Sequence, residues 1–166
     1  VGSSDQVDVV VQLDRTPGWS SQYGDWTDAH RFHVTRGMQP LPANAIAHLG
    51  EVNMGDGPVL TDFVKWAREA YPAQHYMLVI WDHGQGWRFR QATTPASLQG
   101  QRVFPGTVRY ISSDSSSADH LYNRELQEAL LAALAGTGRL DVIAFDACLM
   151  AMVETAYAMR EVAEVM

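Results

Sequence analysis

The chain has 166 residues, 46% of them hydrophobic, which is enough for one domain with a real core and lies outside the disordered range. Its net charge of −7 argues against nucleic acid as a partner, because phosphate binding needs clustered Lys and Arg, and leaves a surface that tolerates cationic substrates. No apolar run approaches the roughly 20 residues of a membrane-spanning helix. No basic-then-apolar leader opens the chain, so a signal peptide is absent or already removed, and the single cysteine rules out an internal disulfide.

In chain order, residues 7–13 (VDVVVQL) are rich in β-branched side chains and read as a strand buried on both faces, ending at Asp14. Residues 16–24 form a loop and residues 31–35 a short strand. Asp25, Asp28, His30 and His33 crowd together there. Histidines three apart suit a helix face better than an alternating stretch, so the cluster reads as a solvated hairpin rather than a metal site. A turn at residues 55–57 precedes the helix at residues 61–70 (TDFVKWAREA), capped by Thr61 and stopped by Pro72. Residues 76–81 are the next strand, and 82–86 a turn. Residues 88–120 read as an exposed insert rich in Gly, Pro, Thr and Ser, holding a hairpin with a strand at residues 107–111. An Ala/Leu-rich helix at residues 124–135 starts at Asn123 and ends at Gly136. Residues 141–145 are the central strand, and residues 150–164 read as a helix.

Alternating helices and continuous apolar strands predict an α/β fold, a mainly parallel sheet with helices on both faces, built as a single domain over residues 1–166. In such sheets functional groups gather beyond the carboxyl ends of the strands. Asp14, His83 and Cys148 all stand just past such ends. A thiol beside an imidazole is a nucleophile with a proton acceptor, and the N-terminus of a following helix would favour the thiolate. Gly84 and the Cys148 amide are candidate donors to an oxyanion, since a residue without a side chain lets its N–H approach a substrate. Taken singly, His83 is a turn histidine bonded to Asp82 and Cys148 a buried core residue. Together, the paired strand ends favour a catalytic dyad. Gly84-Gln85-Gly86 lacks the third glycine of a dinucleotide fingerprint, and no zinc spacing, Walker motif or serine elbow is present.

Trp81-Asp82-His83-Gly84-Gln85-Gly86-Trp87 and Phe145-Asp146-Ala147-Cys148-Leu149-Met150 resemble the clostripain family of cysteine peptidases. The segments VVVQLDR (9–15), RFHVT (31–35) and EVNMG (51–55), and the Leu60, Phe63 and Trp66 spacing, extend the resemblance over nearly the whole chain. The resemblance implies a caspase-like three-layer sandwich, catalytic His83 and Cys148, an oxyanion contribution from Gly84, and cleavage after Arg, often also Lys. It implies that Asp146, two residues before the cysteine, reads the basic side chain, a role that bidentate pairing of carboxylate with guanidinium supports; the plainer reading is that Asp146 caps the following helix.

The resemblance further implies processing between the His and Cys segments, where Arg88, Arg90, Arg102 and Arg109 fall, in an insert of the kind that is easily nicked. No cofactor is required by the sequence. Calcium is allowed by the resemblance, with Asp114 and Asp119 flanking a Ser-rich loop, and so is a secreted or cell-envelope location. The family has a strand and helix before the residue 7–13 strand and further strands after the Cys148 helix, so the chain reads as truncated at both ends. The expected partners are peptides or proteins with basic residues, and no oligomeric state is legible. The alternatives are a caspase-like module that binds peptide without cutting it, and a small-ligand α/β domain with a structural cysteine.

Overall fold

The computed structural model describes residues 2–18, 20–84 and 110–166. Its elements are β1 (Val10–Leu13), β2 (Ala29–His33), β3 (Ala47–Gly50), α1 (Gly57–Ala70), β4 (Met77–Trp81), β5 (Tyr110–Asp114), β6 (Asp119–Tyr122), α2 (Asn123–Leu134), β7 (Leu140–Asp146), α3 (Val153–Met159) and β8 (Ala163–Val165). Among the described residues the strands form a parallel sheet in the order β4-β7-β8, an antiparallel sheet β1-β2-β3, and the hairpin β5-β6.

The parallel sheet follows from the two apolar runs. β4 and β7 pair from Met77↔Val142 to Trp81↔Asp146 without a shift. Their start is tied by Asp141, whose carboxylate accepts from the Tyr76 amide and lies 2.7 Å from His75 Nδ1. Those two bonds, the His75 one first, hold the Asp141 carboxyl below the usual carboxylate range. Leu78, Ile80, Ile143 and Phe145 point to one face. There they join a core of Leu126, Leu130 and Leu134 from α2, Met159 beside them, and Ile111 and Leu121 from the hairpin. Met77, Val79, Trp81 and Val165 stand on the opposite face and remain exposed.

Helix α1 lies on α2, and their close approach is set by small groups. A side chain at Gly57 would meet Ala129 Cβ at 3.4 Å, and the Thr61 hydroxyl sits 3.0 Å from Ala129 O. The antiparallel sheet holds α1 through buried Arg31, which donates to Asp62 at 2.6 Å and Gln12 at 2.9 Å and lies over the Trp66 ring at 4.6 Å. Such a cation over an aromatic face is worth on the order of 1–2 kcal/mol when desolvated.

Four expectations change. The strand expected at residues 7–13 is β1, and it pairs antiparallel with β2 instead of lying in the parallel sheet. A β-branched run fits any half-buried pleated surface and carries no information on partner or direction. Helix α1 starts at Gly57, with Pro58 in its first turn, so Thr61 lies inside it. The helix expected from residue 150 begins only at Val153, because Leu149 takes φ +61 and the Met152 amide folds back onto Met150 O. Finally, a strand does follow it: β8 pairs parallel with β7, too short to read as a period. The expected hairpin is present as β5-β6, rooted by buried Ile111 and Leu121. Residues 85–109, which include the rest of the insert, lie outside the described residues.

Candidate active site

The site grows out of the β4-β7 register. Trp81 and Asp146 are the last paired rung. Two residues further along each strand stand His83 and Cys148, both exposed. Gly84 closes the two ends against each other. It is buried, and a Cβ built there would overlap the Cys148 carbonyl oxygen and reach Met150 Cγ at 3.0 Å and Ala147 Cβ at 3.2 Å. Any residue with a side chain would therefore push the histidine turn off the cysteine turn. This is a packing reason for glycine, separate from access of its N–H to a substrate.

The cysteine turn is held from below. Met150 is 1% exposed and anchors the chain in the core, while Leu149 between it and Cys148 is forced to φ +61. For a non-glycine residue that conformation costs on the order of 1–3 kcal/mol and persists only when the surroundings impose it. The first turn of α3 lies five residues past Cys148, so the expected helix dipole does not act on the sulfur; the effect falls off within one turn. Sequence reasoning missed this elbow, since nothing in Cys-Leu-Met marks a left-handed residue.

Asp146 is exposed, and no ion pair among the described residues engages it. It does not cap α3, whose N-cap is Met152. Parallel partners point the same way, so Asp146 stands beside Trp81 on the uncovered face, and Trp81 is 70% exposed. On the other side of His83, a cleft of about 410 Å³ opens toward the hairpin, lined by His83, Gly84, Tyr110, Ser113, Asp114 and His120 among others. The possible processing residues Arg88, Arg90, Arg102 and Arg109 lie outside the described residues.

The third strand-end acid, Asp14, meets different company. Its carboxylate, Glu51 and Asp114 offer oxygens within 4.8 Å of one another. Asp14 Oδ1 is buried without a partner among the described residues. Burial first, and then the Glu51 charge, push the Asp14 carboxyl up to about 6. Asp114 already accepts the Met54 and Ser117 amides at 2.8 Å, and Asp119 accepts from Asn53 at 2.6 Å. The two acids that flank the Ser-rich loop are thus bonded to backbone and amide. Among the described residues, the carboxylates close enough together to share one hard cation are Asp14, Glu51 and Asp114, the last with both oxygens already accepting amides. The histidine cluster is spoken for: buried His30 stacks on Trp26 at 4.8 Å, and His33 bonds Asp8 at 2.8 Å.

A mainly parallel sheet with a histidine and a cysteine past neighbouring strand ends defines a caspase-like α/β fold. The same fold is seen in a secreted C11 cysteine protease from Bacteroides thetaiotaomicron, solved with an irreversible peptide inhibitor. That structure matches 95% of this chain and 36% of its own at a TM-score of 0.66 and 24% identity. The clostripain family model matches residues 1–166, and the chain belongs to that family. Clostripain of Hathewaya histolytica is 28% identical over 174 residues, covering 95% of this chain and 30% of the relative. The chain thus spans about a third of the length of these relatives. Among the described residues no helix is long and apolar enough to cross a membrane.

Proposed function

We propose that the protein is a cysteine endopeptidase that cleaves peptide bonds after Arg, and less efficiently after Lys. The observation that carries the reading is the unshifted β4-β7 register, closed by Gly84, which sets the His83 and Cys148 turns side by side.

Cys148 attacks the scissile carbonyl carbon as thiolate, forming the C–S bond, with the thiol proton passing to His83. The Gly84 and Cys148 amides donate to the oxyanion. When the intermediate collapses, the C–N bond breaks and His83 protonates the leaving amine. Water then attacks the acyl-enzyme, giving its proton to His83, and the acid product leaves as the thiol is restored. Asp146 and Trp81 supply the two features a guanidinium recognises, a carboxylate for bidentate pairing and an indole face for stacking. Lys fits the charge but not the fork.

The test uses the intact protein with an arginyl fluorogenic peptide and an arginyl chloromethyl ketone. Turnover and a covalent adduct on Cys148, both lost in Cys148→Ala, are expected. Peptide binding without turnover would make the protein a non-catalytic scaffold. A thiol that resists alkylation until denaturation would make Cys148 structural.

A further inference from the structure

Asp82 separates the last rung of β4 from His83, and its carboxylate is the most heavily bonded group at this end of the sheet. Its Oδ1 accepts the His83 amide at 2.6 Å. Its Oδ2 accepts the Ser113 amide at 2.6 Å and the Ser112 hydroxyl at 2.9 Å. A local turn would account for the first bond only. The other two reach 31 and 30 residues along the chain. His83 is where the chain leaves β4, and Ser112 and Ser113 are where it has returned as β5. One carboxylate therefore bridges the outgoing and the returning chain at the neck of the insert. The far side of that bridge is firm, because Ile111, next to Ser112, is fully buried in the core.

Bonds from neutral donors to a carboxylate are stronger than those to a neutral acceptor. Three on one group fix the direction in which His83 leaves the strand.

We propose that Asp82 is a positioning residue. It ties the His83 backbone to the rooted β5 strand so that the imidazole faces Cys148, and it keeps that geometry when the insert is cut. The proposal rests on the dyad reading above. Among the described residues, the Asp82 carboxylate bonds the His83 and Ser113 amides and the Ser112 hydroxyl, and neither the imidazole nor the thiol.

The test compares Asp82→Ala, Asp82→Asn and Ser112→Ala in the intact protein, with active sites counted by the arginyl chloromethyl ketone. Asp82→Ala is expected to lower kcat about 100-fold with KM within a few-fold, the scale set by a misplacement of about 1 Å. Asp82→Asn keeps an acceptor for one side of the bridge only and falls between. Ser112→Ala removes one of three donors and lowers kcat a few-fold. Each protein is then cut at a protease recognition sequence placed at residues 95–100. Wild type keeps its kcat after cutting, whereas Asp82→Ala loses at least a further ten-fold. A merely stabilising role would lower the melting temperature and leave both ratios alone.

Asp82→Ala with kcat within two-fold of wild type, cut and uncut, overturns the proposal. If Asp82→Ala does not fold, the same cut-against-uncut comparison on Asp82→Asn and Ser112→Ala decides it. Failure of the dyad reading is seen separately, as His83→Ala that keeps turnover. In that case the His83 imidazole NMR signal tests the bridge without catalysis. A signal that moves and broadens in the Asp82 variants supports the bridge, and one left unchanged sinks it.

Discussion

The carboxyl ends of β4 and β7 and the end of β1 carry one signature, an apolar run closing on an aspartate, yet they form different sites. At the parallel pair, Asp82 is saturated by three donors and Asp146 stands exposed with no ion-pair partner among the described residues. At β1, in the antiparallel sheet, Asp14 is drawn against Glu51 and Asp114, with one oxygen buried and without a partner among the described residues. The chemistry at a strand end is thus decided by which strand lies beside it. A parallel neighbour in register brings a second strand end, and with it a second functional turn. An antiparallel neighbour brings a strand start, and here the loop after β3 supplies Glu51.

Gly84 is where the two strand ends are most sensitive to substitution. Gly84→Ala sets a methyl group into the Cys148 carbonyl, so the two turns must separate. Overpacking of this kind costs about 1–3 kcal/mol. Turnover is expected to drop about 100-fold, read as kcat per folded molecule. Wild-type kcat with unaltered stability would show that the ends do not meet.

Asp146→Ala comes next. Losing a charge-assisted pair of bonds is expected to lower kcat/KM for an arginyl peptide about 100-fold. Alkylation of Cys148 by a small neutral reagent should be unchanged. Retained preference for Arg over neutral residues would remove Asp146 from the pocket. Trp81→Ala should weaken the same preference by a few-fold.

The β1 end predicts a change in stability rather than rate. The Asp14 carboxyl, raised from 3.8 to about 6, binds its proton more tightly in the folded state. The folded state is therefore favoured at low pH, and stability is lost as pH rises from about 4 through about 6. Asp14→Asn should stabilise the protein above that window by on the order of 1–2 kcal/mol, allowing for solvent screening. Below pH 4 it should change little. Denaturant melts at pH 3.5 and pH 8 measure both; equal effects at the two values would contradict the assignment. The smallest effect is at the elbow, where Leu149→Gly relieves the positive φ and should raise stability by at most about 1 kcal/mol.

The parallel pair was legible because two continuous apolar runs of strand length each closed on a small polar cluster, and such runs belong to buried parallel strands. Runs of that kind bring His83, Gly84 and Cys148 to neighbouring strand ends. The resemblance to the clostripain family added Asp146, and the family match over residues 1–166 supports the kinship. What was not legible depended on partners. The β1 run could not announce its antiparallel neighbour, so Asp14 stands past a strand end as expected but outside the parallel sheet. Glu51 joins it from a separate turn with no motif of its own. The elbow at Leu149 follows from Met150 being pulled into the core, a tertiary cause that no local propensity encodes. Trp81 read as one more apolar strand residue, and only the register set it beside Asp146.

The most direct test of the paired-ends account is mass-spectrometric mapping of the folded protein after treatment with the arginyl chloromethyl ketone. One adduct is expected, on Cys148, formed slowly or not at all in His83→Ala and suppressed by an excess of arginyl peptide. Labelling of Cys148 at the same rate with and without His83 would contradict it.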